Sequence, residues 1–221
     1  DHDCLFVKLA KAGVKGKLLA SIIRFYQNMK AVASINGTDS DPFQLKVGTA
    51  QGCPLSPALF NVYINDLVQE LTNHLPNIQV SCLAYADDIV VMADDESSLQ
   101  ELIHICHRWT TKWRMESKID HENPKTAVMK IPARRRGRNQ ADNDAPTSDL
   151  LWGNETLPKV ECYKYLGIIF DNLLSFEKHA KKMEAKASRN LGRIKRHLYD
   201  NTAPRSIKIA LVRAIVMAGA A

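Results

Sequence analysis

Four residues, Tyr85-Ala86-Asp87-Asp88, stand between the apolar runs Val80-Ser81-Cys82-Leu83-Ala84 and Ile89-Val90-Val91-Met92. Short apolar runs separated by turn residues read as a hairpin, so the fold must bring two strands together at a pair of acids. Adjacent carboxylates at the tip of a buried hairpin repel each other and resist desolvation unless a cation is shared between them. A hard divalent ion such as magnesium suits them, because it prefers carboxylate oxygens together with substrate phosphates. Asp is also a common turn residue, and an isolated Asp-Asp would be read as a turn and nothing more. This pair has company upstream.

The segment Gly48-Thr49-Ala50-Gln51-Gly52-Cys53-Pro54-Leu55-Ser56-Pro57 leads directly into Ala58-Leu59-Phe60-Asn61-Val62-Tyr63-Ile64-Asn65-Asp66-Leu67. Ser56 is a capping residue and Pro57 suits a first helical turn. From there Phe60, Ile64, Leu67 and Leu71 recur at helical spacing, so a glycine-containing loop feeds a helix with one buried stripe. Such a junction gathers unpaired backbone amides at the positive end of a helix dipole, which suits a phosphate-bearing ligand.

The 221 residues suffice for one substantial core or two small ones. A net charge of +6 and a pI near 9.0 suit an anionic partner. Cys4, Cys53, Cys82, Cys106 and Cys162 form no Cys-x-x-Cys pair, which argues against a zinc site or a disulfide framework and for a reducing compartment. His104, Cys106 and His107 fall on a helix beside Trp109, where a structural or solvated role outweighs metal binding. No signal peptide and no membrane-spanning apolar run is visible in these residues. The chain opens at Asp1 and closes on Met217-Ala218-Gly219-Ala220-Ala221 inside an apolar helical pattern, so both ends read as cut.

Residues 3 to 29 predict two helices parted near Gly13, the first with Leu5, Phe6 and Leu9 on one face. The second has Leu19, Ile22, Ile23, Tyr26 and Met29 as its stripe. A hairpin is predicted from Ala31–Ile35 and Phe43–Val47, joined by the turn-rich residues 36–42. After the Asp87-Asp88 hairpin, Ser97-Ser98 with Gln100 and Glu101 at capping-box spacing predict a helix start. Leu99, Leu102, Ile103, Cys106, Trp109 and Trp113 form its stripe. Residues 132–149 change to Arg134-Arg135-Arg136-Gly137-Arg138 and then Asn, Asp and Pro, the composition of a mobile loop. Its arginines suit nucleic acid or a nuclear import signal, and equally a solvated surface. Strands are predicted at Leu150–Trp152 and Thr156–Val160 about a Gly153-Asn154 turn, with a further strand over Tyr165–Phe170. The last long segment is helical and basic, with Phe176, Ala180, Met183, Ala187, Leu191, Ile194 and Leu198 as its buried stripe. Lys178, Lys181, Lys182, Lys186, Arg189, Arg193, Lys195 and Arg196 crowd its other surfaces. After Asn201-Thr202-Ala203-Pro204, a final helix carries Ile207, Leu211, Ala214 and Ile215. Helices alternating with strand pairs indicate an α/β or α+β fold.

Gly48–Pro57 taken with Tyr85–Asp88 resembles the palm of reverse transcriptases. Gln51-Gly52-Cys53-Pro54-Leu55-Ser56-Pro57 is most similar to the non-LTR, LINE-type retrotransposon branch. Asn123-Pro124-Lys125-Thr126 resembles the family's lysine-bearing motif, and Tyr163-Lys164-Tyr165-Leu166-Gly167-Ile168-Ile169-Phe170-Asp171 its primer-gripping hairpin. The resemblance implies an α+β right-hand palm, an antiparallel sheet with packed helices, leading into a helical thumb. It divides the chain into partial fingers and palm (1–131), the mobile loop (132–149), the end of the palm with the primer-grip hairpin (150–174) and the start of the thumb (175–221).

It further implies primer-dependent DNA synthesis on an RNA template from deoxynucleoside triphosphates, with two magnesium ions held in part by Asp87 and Asp88. Lys125 would act on the leaving pyrophosphate. Gln51, Gly52 and Tyr85 would lie near nucleotide and template, with Ser56 and Pro57 mainly structural. Tyr165, Leu166 and Gly167 would hold the primer end, and Lys182, Lys186, Arg189 and Arg193 would track phosphates. The family's third aspartate comes from a strand before the segment that Asp1-His2-Asp3 resembles, so these residues alone are expected to be inactive or nearly so. Asp1 and Asp3 themselves read as caps of the first helix. The alternatives are a degenerate or domesticated palm that binds nucleic acid without copying it, and a group II intron-type reverse transcriptase, against which Cys53 argues mildly. The expected setting is intracellular and nuclear, and the sequence carries no signal for an oligomeric state.

Overall fold

The computed structural model describes residues 1–50, 52–74, 82–132, 148–200 and 202–217. Expectations that fall on Gln51, on Val80 and Ser81, on the arginines of 133–147, on Asn201 and on 218–221 lie outside these residues. The chain divides into two compact units, Asp1–Thr126 with Thr147–Pro158, and Ala127–Pro146 with Lys159–Ala221.

Among the described residues, four helices build the first unit: α1 (His2–Lys11), α2 (Gly16–Gln27), α3 (Ser56–His74) and α4 (Glu96–Lys112). Each donates a stripe at spacings of three and four, the period that keeps apolar residues on one helix face. Leu5 and Leu9, Ile22 and Tyr26, Leu59, Tyr63, Ile64, Leu67 and Leu71, and Leu102, Ile105, Cys106, Trp109 and Trp113 meet in one core. Leu71 and Leu102 are 0 % exposed, and burying a leucine fully stabilises by about 1.5–3 kcal/mol. Asp1 caps α1, its carboxylate accepting from the Cys4 amide at 3.1 Å.

Lys8 is 5 % exposed within this core. Its Nζ donates to Asp66 Oδ1 (2.6 Å) and to the Tyr63 carbonyl (2.5 Å). It lies 4.1, 4.2 and 4.8 Å from the ring centroids of Trp113, Trp109 and Tyr63. Trp109 Nε1 donates to the same Asp66 oxygen at 2.9 Å, and the Tyr63 hydroxyl donates to the Trp113 carbonyl. Burial pulls the ammonium below its ordinary pKa, against the opposing pull of Asp66.

The described strands form five antiparallel pairs. β1 (Lys30–Ala31) pairs with β4 (Phe43–Gln44), and β2 (Ser34–Ile35) with β3 (Thr38–Asp39). The predicted hairpin is thus present in outline, but its connector is no open loop. Asn36 and Gly37 adopt φ of 51° and 81°, a two-residue closure whose twist matches the strands, so residues 38–39 fold straight back. β5 (Cys82–Tyr85) pairs with β6 (Asp88–Val91), and β7 (Leu151–Trp152) with β8 (Glu155–Thr156) about Gly153-Asn154.

The start of α4 differs from expectation. Asp95, not Ser97 or Ser98, is its cap, accepting from the Ser98 amide at 2.8 Å and from the Ser98 hydroxyl at 2.7 Å. Several cap-forming residues stand in a row here, and the first to reach the free amides wins. His104, Cys106 and His107 do not converge: Cys106 is buried, the His107 ring packs edge-on against Trp152, and His104 is exposed beside Gln100.

In the second unit, β9 (Cys162–Tyr165) pairs with β10 (Ile168–Asp171), so the strand expected over Tyr165–Phe170 is a hairpin that turns at Leu166-Gly167. Helix α5 (Glu177–Leu198) follows, then α6 (Arg205–Leu211), which widens into a π-helical segment over Val212–Met217. The final helix therefore changes its pitch before Ala214 and Ile215. Of the stripe predicted on α5 only Ile194 is buried, while Phe176 is 43 % and Leu191 44 % exposed. Among the described residues, the elements that pack most on α5 are β10, α6 and the π-helical segment, too little to cover a 22-residue face.

Candidate active site

The Tyr85–Asp88 hairpin is less buried than its apolar strands suggest. Tyr85 pairs across the ladder with Asp88, leaving Ala86 and Asp87 as the turn. Strand alternation sends Cys82, Ile89 and Val91 toward the core and Leu83, Tyr85 and Asp88 away from it. Leu83 is 48 % and Tyr85 67 % exposed, because no third described strand joins this ladder. Burial on the inner face pushes the Cys82 thiol pKa up. Ala86 adopts φ 51°, the left-handed region that an L side chain occupies at a cost of about 1–2 kcal/mol. Strain of this kind gathers where a turn must hold one geometry for a ligand.

Asp87 and Asp88 are both exposed, side by side. Two adjacent carboxylates form a hard oxygen donor set that fits a divalent cation. Among the described residues no group of three or more His, Cys, Asp or Glu completes a metal site.

His2, Tyr26 and Ser56 hold the Gly48–Pro57 loop, a part that residue type alone assigned to neither His2 nor Tyr26. His2 Nε2 donates to the Gly48 carbonyl at 2.8 Å, and its ring lies 4.7 Å from that of Tyr26. The Ser56 hydroxyl, rather than simply capping α3, donates to the Ala50 carbonyl at 2.7 Å. Burial raises the Tyr26 pKa, and the neighbouring Ser56 hydroxyl partly opposes the rise. Gly52 takes φ 78°, which only glycine adopts without strain. No local signal could have found His2, since its partner lies 46 residues away.

Lys125 is exposed, after a turn in which Asp120 Oδ1 accepts from the Glu122 and Asn123 amides. The remaining candidates belong to the second unit. Leu166 and Gly167 form the β9–β10 turn with φ 46° and 88°, and Leu166 is 47 % exposed at its tip. Tyr165 is half-buried. Lys182, Lys186, Arg189 and Arg193 follow one another on α5 at spacings of four, three and four, so they share one helix face. Lys186 is half-buried and the other three are exposed.

A family profile described as reverse transcriptase (RNA-dependent DNA polymerase) matches residues 1–170. The RNA-directed DNA polymerase from mobile element jockey of Drosophila funebris is 26 % identical over 190 residues, 83 % of this chain and 19 % of its own length. A Pol polyprotein from the type-1 retrotransposable element R1 2 of Nasonia vitripennis is 26 % identical over 157 residues, 68 % of this chain and 36 % of its own. One from the type-1 element R2 of Popillia japonica is 28 % identical over 88 residues, 37 % of this chain and 14 % of its own. The chain thus spans a minor part of each relative. The matched region takes in the Gly48–Pro57 loop, the carboxylate hairpin and most of the β9–β10 hairpin, and the chain belongs to the reverse transcriptase (RNA-dependent DNA polymerase) family, among relatives from retrotransposable elements.

Proposed function

We propose that this chain is the polymerase portion of a non-LTR retrotransposon protein, performing primer-dependent DNA synthesis on an RNA template. The observation that carries this reading is the strained two-residue turn presenting Asp87 and Asp88 side by side, inside the region that matches the family. In the reaction a primer 3′ hydroxyl attacks the α-phosphate of a deoxynucleoside triphosphate and pyrophosphate leaves. Magnesium, when bound, supplies charge stabilisation for the attacking and leaving oxygens. Asp87 and Asp88 are the residues that would hold it, and the Ala86 turn orients them.

Gln51 and Gly52 face nucleotide and template in this reading, with the loop fixed by His2, Tyr26 and Ser56. Tyr85 contacts nucleotide or template in the same reading. Lys125 neutralises or protonates the pyrophosphate. The first unit then corresponds to fingers and palm, the β9–β10 hairpin to the primer grip through Tyr165, Leu166 and Gly167, and α5 to the start of the thumb. The basic face of α5 suits a phosphate backbone, and a nuclear setting goes with such a substrate.

The test is primer extension on an RNA template by the parent polypeptide that contains this sequence, beside Asp87→Asn and Asp88→Asn. Losing several kcal/mol of transition-state stabilisation corresponds to at least about a 100-fold fall in rate. Undiminished synthesis in the double variant refutes the reading. Duplex binding without synthesis in the unaltered protein replaces it with a non-catalytic palm.

A further inference from the structure

Asp171 ends β10 and is 5 % exposed. Its carboxylate gathers the residues that follow it. Oδ1 accepts from the Leu173 amide at 3.0 Å and the Ser175 amide at 2.9 Å. Oδ2 accepts from the Ser175 hydroxyl at 2.8 Å and the Phe176 amide at 3.0 Å. Its backbone carbonyl accepts from the Leu174 amide at 2.9 Å. Within this turn Leu174 and Phe176 take φ of 52° and 58°, conformations that leucine and phenylalanine rarely adopt unless their surroundings impose them.

The turn sets where α5 begins. Phe176 is the residue before its first turn and offers no side-chain cap. Two further ties run back to β10: the Phe176 ring lies 5.5 Å edge-on from Phe170, and His179 Nδ1 accepts from the Ile169 amide at 3.3 Å. Asp171, Phe170 and Ile169 are consecutive on the strand that leaves the Leu166-Gly167 turn. The helix is thus anchored to the hairpin through one carboxylate, one ring pair and one imidazole. The carboxylate makes four of these bonds and is the only one of the three that organises the left-handed turn itself.

We propose that Asp171 is a positioning residue that holds α5 in one direction from the β9–β10 hairpin, so that hairpin tip and basic helix face engage a single primer–template duplex at two places. This rests on the polymerase reading above. From Glu177 to Arg193 the helix rises about 24 Å, so a duplex of only a few base pairs reaches one contact while a longer one reaches both. A rigid link makes the second contact intramolecular, and its contribution falls as the link loosens and the effective concentration drops.

The experiment measures binding of the full chain to stem-loop primer–template mimics with stems of about 4 and about 14 base pairs, at one salt concentration. The unaltered chain should gain affinity on going to the longer stem. Asp171→Ala should lose about tenfold of that gain while binding the short stem as before. Asp171→Asn should fall between, since its amide oxygen still accepts from Leu173 and Ser175 while its NH₂ faces the Phe176 amide. A second measurement uses spin labels introduced as unnatural amino acids at positions 164 and 189, whose distance distribution should be narrow in the unaltered chain and broad in Asp171→Ala. A full length-dependent gain in Asp171→Ala overturns the proposal, as does an equal loss for both stems, which signals unfolding alone. If the unaltered chain binds neither stem, the polymerase reading fails, and the spin-label distances decide the positioning role: an unchanged distribution in Asp171→Ala overturns it.

Discussion

Replacing Lys8 tests whether a buried charge in this fold stabilises it or is merely tolerated. The ammonium has lost nearly all contact with water, whereas its partner Asp66 keeps 48 % of its side-chain surface exposed. Taking an ion out of water costs several kcal/mol, and the attraction of a half-solvated partner returns only part of it. Three ring faces and the Tyr63 carbonyl add to the return, each ring contributing about 0.5–2 kcal/mol. The lowered pKa of Lys8 has burial as its largest cause, so the balance lies against the charged form.

Two substitutions at this pair should therefore diverge. Asp66→Ala strands the ammonium among the rings and frees the Trp109 indole N–H. Breaking a buried pair costs about 3–5 kcal/mol, and the exposure of Asp66 places this case at the lower end, about 3 kcal/mol. Lys8→Met keeps the stem between the rings, removes the charge and leaves Asp66 to water and Trp109, so its cost should be within about 1 kcal/mol of zero. Urea unfolding followed by tryptophan fluorescence reads both, since Trp109 and Trp113 sit against the pair. The pH dependence has a definite sign. With its folded pKa below 10.5, Lys8 carries its full cost below that folded value and sheds it as pH rises toward 10.5. Any advantage of Lys8→Met should then shrink between neutral pH and pH 10. A Lys8→Met variant less stable than Asp66→Ala would refute the argument.

Two more outcomes follow from the core and its margin. Burial pushes the Cys106 thiol up to about 12 from 9.0, with Cys82 and Glu70 nearby adding to the rise, so its neutral form supports the fold fully below pH 9 and loses that support as pH climbs toward 12. By pH 11 this amounts to roughly 3 kcal/mol, and Cys106→Ala should flatten the decline in urea midpoint between pH 8 and 11; parallel declines in the two proteins would contradict it. Gly153 sits at φ 63° with space for a Cβ only 2.7 Å from His107 Nε2, so Gly153→Ala should cost about 1–2 kcal/mol through backbone strain and displacement of the His107 ring from Trp152. An unchanged melting temperature would show that this hairpin yields freely.

The parts that were legible in the sequence share a physical reason. The stripes of α1 to α4 follow the helical period, and the Asn36-Gly37 and Gly153-Asn154 turns carry residues that the backbone demands there. The carboxylate hairpin stood out because two acids interrupt apolar strands, a local conflict that marks function. Where several residues offer the same local chemistry, as in Asp94-Asp95-Glu96-Ser97-Ser98, spacing could not choose the cap of α4. The apolar period of α5 predicts burial, yet a periodic stripe says only which face would be covered if something packed on it.

The chain's own residues thus determined the family motifs, the paired acids and the basic face of α5, because these are matters of residue type and short-range order. Tertiary structure alone decided the fates of Lys8, His2 and Asp171. A lysine becomes a core residue only when α1, α3 and α4 surround it with rings and a carboxylate, and His2 reaches Gly48 only through the packing of the first unit. Even Asp171, whose partners are its sequence neighbours, acquires its role because β10 and α5 pack together and shut water out. Desolvation is a property of the assembled fold, and with it comes the strength of every polar contact that the fold encloses.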